Sequence, residues 1–162
     1  MILIALGANL PAPDGTSPLG TCRRAARALD GLLGLRVTHL SHWYQTEPIP
    51  PSGQPAYVNG VARLSGTTEP LALLSALGEL EAAEGRRRGE PNAARTLDLD
   101  IIAIDDLVRE APDPVLPHPR AHLRGFVLVP LRDVAPGWVH PVLRRTVDQL
   151  IEALPPQRIT RL

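Results

Sequence analysis

The run Arg95-Thr96-Leu97-Asp98-Leu99-Asp100-Ile101-Ile102 alternates polar and apolar side chains at period two. As a strand it places Asp98 and Asp100 on one face and Leu97, Leu99 and Ile101 on the other. Adjacent carboxylates on an apolar strand repel each other, and native chains seldom keep such a pair without a cation between them. An oxygen-only pair suits a hard ion such as Mg²⁺, which combines a few carboxylates with substrate phosphates. Just upstream, Arg86, Arg87, Arg88 and Arg95 supply fixed positive charge in planar forks that match phosphate. Carboxylates for a metal beside an arginine loop point to chemistry on a polyphosphate. Taken alone, the same pattern also fits a solvated strand edge salt-bridged to its arginines.

Composition narrows the field. The chain has 162 residues, enough for one domain with its own core, and its 44% hydrophobic content is that of a soluble globular protein. Basic and acidic residues balance at 17 each, which gives no support to non-specific nucleic-acid binding. Every basic residue is arginine, so a P-loop lysine, a Schiff-base lysine and a kinase-type lysine are all excluded. Cys22 is the only cysteine, which excludes an internal disulfide and cysteine-rich zinc sites; its helical apolar surroundings predict a buried small hydrophobe. The apolar run at 2–6 is too short for a signal peptide or a membrane span, so the cytoplasm is the expected compartment and no membrane is involved.

The elements that must position these groups follow from periodicity. Residues 2–6 read as a buried strand ended by Gly7-Ala8-Asn9, and 11–18 as a loop. Leu19, Cys22, Ala26, Leu29 and Leu33 recur at helical spacing, with Gly34 to close the helix. Residues 37–44 read as a strand, and 46–55, with four prolines and a glycine, as a long loop. The stretch 57–64 alternates, with Tyr57, Asn59, Val61 and Arg63 on one side. Thr68-Glu69-Pro70 reads as a helix start capped by Thr68, followed by a stripe of Leu71, Leu74, Leu77 and Glu81 that ends at Gly85. With the aspartate strand to 104, the order is β-α-β-β-α-β, an α+β, ferredoxin-like split βαβ arrangement. Beyond it come a proline-rich loop at 112–119, a helix over 121–134, and a last helix opened by a Thr146/Gln149 capping box. No repeat or linker divides the chain. Trp43 and Trp138 read as packing residues, and His39, His42, His122 and His140 as structural or exposed.

Seven segments, in order over most of the chain, resemble one family. They are Leu6-Gly7-Ala8-Asn9-Leu10, Tyr44-Gln45-Thr46-Glu47-Pro48-Ile49, Gln54-Pro55-Ala56-Tyr57-Val58-Asn59, Gly85-Arg86-Arg87-Arg88, the run from Arg95 to Ile101, Leu116-Pro117-His118-Pro119-Arg120, and Arg124-Gly125-Phe126-Val127-Leu128-Val129-Pro130-Leu131. The sequence is similar to the 6-hydroxymethyl-7,8-dihydropterin pyrophosphokinases of folate biosynthesis. The resemblance implies a single pterin pyrophosphokinase domain over 1–162, acting as a monomer on ATP and 6-hydroxymethyl-7,8-dihydropterin. The pterin hydroxymethyl oxygen attacks the β-phosphorus, AMP leaves, and the pterin diphosphate passes to dihydropteroate synthase. It further implies that Asp98 and Asp100 hold two Mg²⁺ ions, and that Arg95, Arg86 and Arg88 grip the triphosphate and act in catalysis. ATP would also meet His118, Arg124 and, in a supporting role, Glu81; the pterin would meet Thr46, Tyr57, Asn59 and Phe126. One stretch departs: where the family commonly carries Arg-Trp-Gly-Pro or Arg-Asn-Gly-Pro, this chain has Pro91-Asn92-Ala93-Ala94. That departure is the one feature favouring a rival reading, a non-catalytic nucleotide- or pterin-binding domain. An RNA-binding module on the same scaffold would need more aromatics and net positive charge.

Overall fold

In the computed structural model, which describes residues 1–48, 51–86 and 94–162, alternation along strand β1 (Ile2–Ala8) decides which layer each side chain joins. Ile2, Ile4, Leu6 and Ala8 enter one hydrophobic cluster and Leu3 a second, on the opposite face. The first cluster is closed by helix α1 (Pro18–Leu29), through Cys22, Ala25, Ala26 and Leu29, and by helix α2 (Pro70–Ala83), through Leu73 and Leu77. The second is closed by helix α3 (Gly125–Val134), through Val127, Leu128, Leu131 and Val134, and by helix α4 (Val147–Glu152), through Val147 and Leu150. The result is a sheet with helices on both faces.

The remaining strands are β2 (Arg36–Leu40), β3 (Tyr44–Thr46), β4 (Tyr57–Ser65), β5 (Asp98–Ile104) and β6 (Ile159–Arg161). They run in the order β5-β1-β4-β3-β6, with β2 also on β4, and every pairing is antiparallel. From β1 to β5 this is the split βαβ of the ferredoxin-like fold, with additional helices after it. On β5 the register shifts opposite Leu3 and Ile4, and Ile102 and Ala103 both join the α3 cluster. Alternation already puts Asp98, Asp100 and Ile102 on one layer; the bulge adds Ala103 to it and turns Ile104 to the other.

Several elements differ from their sequence pattern. The strand expected over 37–44 is two strands, interrupted where the Ser41 hydroxyl accepts from the Val61 amide at 2.8 Å. Helix α1 stops at Leu29; Leu33 is exposed, in a 3-10 turn at φ +52°. The cap of α2 is Glu69, and the Thr68 hydroxyl donates to its carbonyl instead. The buried stripe of α2 is Leu73, Leu77 and Glu81, and Leu71 faces solvent. The helix expected over 121–134 is a 3-10 turn at Ala121–Leu123 followed by α3, with Arg124 extended between them. The capping box at Thr146 and the burial of Cys22 are as read.

Trp43 lies flat against the backbone of β4 at Gly60, where a β-carbon would stand 2.5 and 2.6 Å from the indole ring. Gly60→Ala must therefore displace Trp43 and is expected to destabilise the protein by about 1–3 kcal/mol, measured by urea unfolding.

Candidate active site

The second face of the sheet is only partly covered. Helices α3 and α4 seal the end carrying Leu3, Val61 and Ile102, while the end carrying Gly7, Asn59 and Asp98 opens into a cavity of about 520 Å³. That volume lies within the range of small-molecule sites. The cavity persists because the β1 side chains on this face are the small Ala5 and Gly7, opposite Asp100 and Asp98 across the ladder, while Leu6, which also borders it, packs into the other cluster. A β-carbon on Gly7 would stand 3.1 Å from the Asn59 amide oxygen.

Asp98, Asp100, Arg95, His118 and Arg124 line one part of this cavity. Asp98 accepts from Arg95 at 3.0 Å and from Arg86 at 3.2 Å. The ion pairs of the site fall on Asp98 rather than on Asp100. Burial, and then the neighbouring Asp98 charge, push the Asp100 carboxyl up to about 6 against the pull of Arg124, Arg95 and Arg86. An aspartate with a raised proton affinity and an acidic neighbour is a position where a cation relieves stored repulsion. The donor set is oxygen only, and among the described residues no group of three or more His, Cys, Asp or Glu could hold a metal. Two carboxylates leave most of a coordination sphere to other oxygens, which fits Mg²⁺ rather than a dedicated protein cage.

His118 is held neutral. Burial, with Arg124 and Arg120 nearby, lowers its pKa to about 4. Its Nδ1 accepts from the Arg120 amide at 3.1 Å, so the ring proton sits on Nε2 and is available for donation. The His118 amide donates to the Ile102 carbonyl at 2.9 Å, which anchors this loop to the bulge of β5.

Thr46, Tyr57, Asn59 and Phe126 line the other part. The Asn59 amide donates to the Thr46 hydroxyl at 2.7 Å, which leaves the hydroxyl proton free to donate elsewhere. Both side chains are buried, at 6% and 2% exposure, and both line the cavity, so their unused hydrogen-bonding capacity is available to a ligand there. Tyr57 comes from β4 and Phe126 from the first turn of α3, with the Arg124 guanidinium 5.5 Å from the centre of the Phe126 ring. Two aromatics and an amide pair bordering one space suit a flat heterocycle with a polar edge.

Glu81 and Arg86 do not line the cavity; they stand behind it. Helix α2 ends in a Schellman motif, with Gly85 at φ +83°, its amide on the Ala82 carbonyl and the Arg86 amide on the Glu81 carbonyl. That turn brings Arg86 back over Glu81, and the two side chains form an ion pair. Glu81 also accepts from the Leu99 amide at 2.9 Å, so one buried carboxylate ties the end of α2 to the strand between Asp98 and Asp100. Burial pushes its pKa up to about 7 despite those donors. Arg88 lies outside the described residues, as do Arg87 and residues 91–93.

Asn9 was not singled out by its sequence context. It is 1% exposed and joins three segments. Its amide donates to Gln54 at 3.1 Å and to the Pro55 carbonyl at 3.2 Å, and its side-chain oxygen accepts from the Arg95 amide at 2.9 Å. The Asn9 and Leu10 amides both donate to the Arg95 carbonyl, at 3.1 and 3.2 Å. The available signal is an asparagine closing an otherwise apolar strand, two residues after a glycine. Arg120 also lines the cavity and was named only as part of a motif.

Carboxylates facing arginines across a cavity of this kind place the protein among phosphoryl-transfer enzymes. Its family is then set by comparison: the model of 7,8-dihydro-6-hydroxymethylpterin-pyrophosphokinase (HPPK) matches residues 3–136, and the chain belongs to that family. Its reaction is pyrophosphoryl transfer to a hydroxymethyldihydropterin in folate synthesis. The chain is 37% identical over 161 residues to a Pseudomonas aeruginosa 2-amino-4-hydroxy-6-hydroxymethyldihydropteridine pyrophosphokinase, covering 99% of this chain and 96% of the relative. A Synechocystis protein of the same name is 37% identical over 150 residues, covering 93% of this chain and 74% of the relative. Among solved structures, a Plasmodium falciparum HPPK-DHPS triple mutant shares the fold at a TM-score of 0.68 and 13% identity, covering 93% of this chain. This chain spans 43% of that one.

The electrostatics make a stability prediction. Between its ordinary value near 4 and its folded value of about 6, Asp100 binds a proton more tightly folded than unfolded, so its ionised form opposes folding above pH 6. Asp100→Asn removes that opposition. In the metal-free protein it should raise Tm by a few degrees at pH 7.5, and the gain should fade as pH falls from about 6 to about 4, below which the parent carboxyl is protonated both folded and unfolded.

Proposed function

We propose that both substrates occupy this one cavity, with the ATP triphosphate along Arg95, Arg124, His118 and the paired aspartates and 6-hydroxymethyl-7,8-dihydropterin between Tyr57 and Phe126. The observation that supports this most is the shared wall: Asp98 and Asp100 line the same 520 Å³ space as Thr46 and Asn59. A pterin held by the second pair directs its hydroxymethyl group at phosphates held beside the first.

The chemistry then asks little of a strong base. The hydroxymethyl oxygen forms a bond to the β-phosphorus as its proton is lost to solvent, the bond from that phosphorus to the oxygen bridging the α-phosphate breaks, and AMP departs with that oxygen. Arg95 and Arg124, together with Arg88 by the family resemblance, hold the triphosphate and meet the charge that builds on the transferring group, while Arg86 acts through Asp98, which it holds from behind. His118, neutral with its proton on Nε2, donates a hydrogen bond to a phosphate oxygen without adding charge. Thr46 and Asn59 read the polar edge of the pterin while Tyr57 and Phe126 exclude water from its faces. Asp98 and Asp100 fit two Mg²⁺ ions shared with ATP; when bound, such ions neutralise phosphate oxygens and acidify the attacking hydroxyl.

The reading carries further parts. Residues 1–162 serve as one domain, since the cavity draws on groups from β1 through α3 and β6 completes the same sheet. The enzyme works as a monomer in the cytoplasm, where ATP is at hand, and every group assigned above comes from a single chain. Its product feeds a dihydropteroate synthase, in keeping with the joined HPPK-DHPS of the Plasmodium relative.

Chromatography of nucleotide products tests the reaction. AMP should form only when ATP, 6-hydroxymethyl-7,8-dihydropterin and Mg²⁺ are all present, and chelation of the metal should stop it; ADP as product would overturn the reading. Asp98→Ala and Asp100→Ala should each nearly abolish turnover, and Arg95→Ala should lower kcat by about a hundredfold or more, as loss of one charge-stabilising donor does elsewhere. Appreciable turnover in either aspartate variant would remove the metal assignment.

A further inference from the structure

Strand β6 lies beyond residues 3–136, the span matched by the family model, and no residue in it lines the cavity. Its placement nevertheless touches both walls of the proposed pterin slot. It pairs with β3 in the register Tyr44 to Arg161, Gln45 to Thr160 and Thr46 to Ile159, and the Leu162 amide donates to the Trp43 carbonyl at 2.9 Å. Thr46 thus has Tyr57 across one strand boundary, with the Asn59 amide donating to it diagonally, and Ile159 across the other. The Ile159 side chain reaches α3, where its Cδ1 lies 3.1 Å from the position a β-carbon on Gly125 would take. Gly125 immediately precedes Phe126, and the Gln157 side-chain oxygen stands equally close to it. One turn of chain before β6 and its first residue therefore seat the N-terminal turn of α3 against the edge of β3.

At its far end the gap between β3 and α3 is bridged by the Tyr44 hydroxyl donating to Asp133 at 2.7 Å, with the His42 amide on the same carboxylate at 3.2 Å. At the cavity end the bridge is Ile159. A three-residue strand at a sheet edge contributes little stability of its own, so its value lies in what it aligns. We propose that Ile159 and strand β6 are positioning elements for pterin recognition, setting the spacing between Thr46 on one wall and Phe126 on the other. This rests on the assignment of Thr46, Asn59, Tyr57 and Phe126 to the pterin.

The spacing acts on one substrate. Side chains that grip a rigid bicycle must sit within a few tenths of an ångström of their productive positions, and a remote misplacement weakens binding without removing any contact residue. Arg95, Asp98 and Asp100 are placed by Asn9, the end of α2 and β5, none of which β6 touches through the contacts above; Arg124, next to Gly125, is held separately by its amide on the Ala121 carbonyl at 3.1 Å.

Four variants decide it: Ile159→Ala, Ile159→Val, Thr160→Pro and Asn59→Ala, each measured for KM of both substrates, kcat and Tm in the AMP-forming assay. By the alternation of an antiparallel ladder, the Leu162 to Trp43 bond makes Gln45 and Thr160 a hydrogen-bonded pair, so Thr160→Pro deletes a rung at an exposed position. The expected result is a pterin KM about fivefold higher or more in Ile159→Ala and Thr160→Pro, with KM for ATP within about twofold, and recovery of most of the affinity in Ile159→Val. A pterin KM that stays at the parent value in Ile159→Ala overturns the proposal. So does a parallel rise of both KM values with a falling Tm, which is what a merely structural strand would produce. Ile159→Ala decides alone if Thr160→Pro fails to fold. Asn59→Ala separates the two levels: if it raises pterin KM and Ile159→Ala does not, only the role of β6 falls, and if Asn59→Ala leaves pterin KM unchanged the assignment of the slot falls and takes this proposal with it.

Discussion

A taper along one face of β1 makes room for everything else at the site. Leu3, Ala5 and Gly7 point to the same layer, and their volumes fall toward the end of the strand where the cavity opens. Helix α3 packs against the large end and has nothing to pack against at the small one, so the sheet stays uncovered there. Two carboxylates can sit opposite Ala5 and Gly7 because those residues leave space that solvent or a ligand must fill. The same economy acts sideways, where Gly7 lets the Asn59 amide lie across the sheet. A larger residue at position 5 or 7 would close the cavity before any catalytic group was touched.

Filling that space with like charges destabilises the fold locally, and the surroundings absorb the strain by hydrogen bonding rather than by neutralising both groups. Among the described residues Asp98 takes two arginines, Asp100 takes none of the ion pairs, and Glu81 behind them takes the Leu99 amide and Arg86. The arrangement keeps the β5 backbone fixed while leaving one carboxylate poised to exchange a proton or accept a cation. A fully paired Asp100 would stabilise the resting protein and weaken its reason to bind anything. Asn9 does for the loops what Glu81 does for the strand. Its five hydrogen bonds, counting the Leu10 amide beside it, join the Gln54-Pro55 turn to Arg95, so the segments bordering the two halves of the cavity share one buried amide.

What could be read from the sequence was whatever is encoded locally and strongly. The alternation at Asp98 and Asp100, the apolar run of β1, the α2 terminus at Gly85 and the capping box at Thr146 each declare themselves within a few residues. Misread elements were those decided at a distance. The break between β2 and β3 exists because the Ser41 hydroxyl captures the Val61 amide, a bond formed across twenty residues of chain. In α2 the abundance of leucine makes several stripes equally apolar, and only the sheet selects Leu73 and Leu77 over Leu71. Strand β6 follows two prolines and is three residues long, so no periodicity can announce it; pairing with β3 creates it. The site showed the same division. Residues whose types carry the chemistry were named in advance, whereas Asn9, whose work is done through the backbone of other segments, was not.

The two halves of the cavity also differ in how they are built, and the difference matches what we propose each holds. Charged groups act over several ångströms and tolerate adjustment, so Arg95, Arg124 and His118 can come from loops and helix ends. An aromatic slot offers short-range contacts whose attraction drops within an ångström of misfit. Its residues accordingly come from paired strands and a helix turn, Thr46 and Tyr57 facing each other across the β3–β4 ladder and Phe126 at the start of α3. That explains why a frame of sheet pairing, including a short strand remote in sequence, gathers around the slot, while the phosphate side is left to side chains long enough to reach.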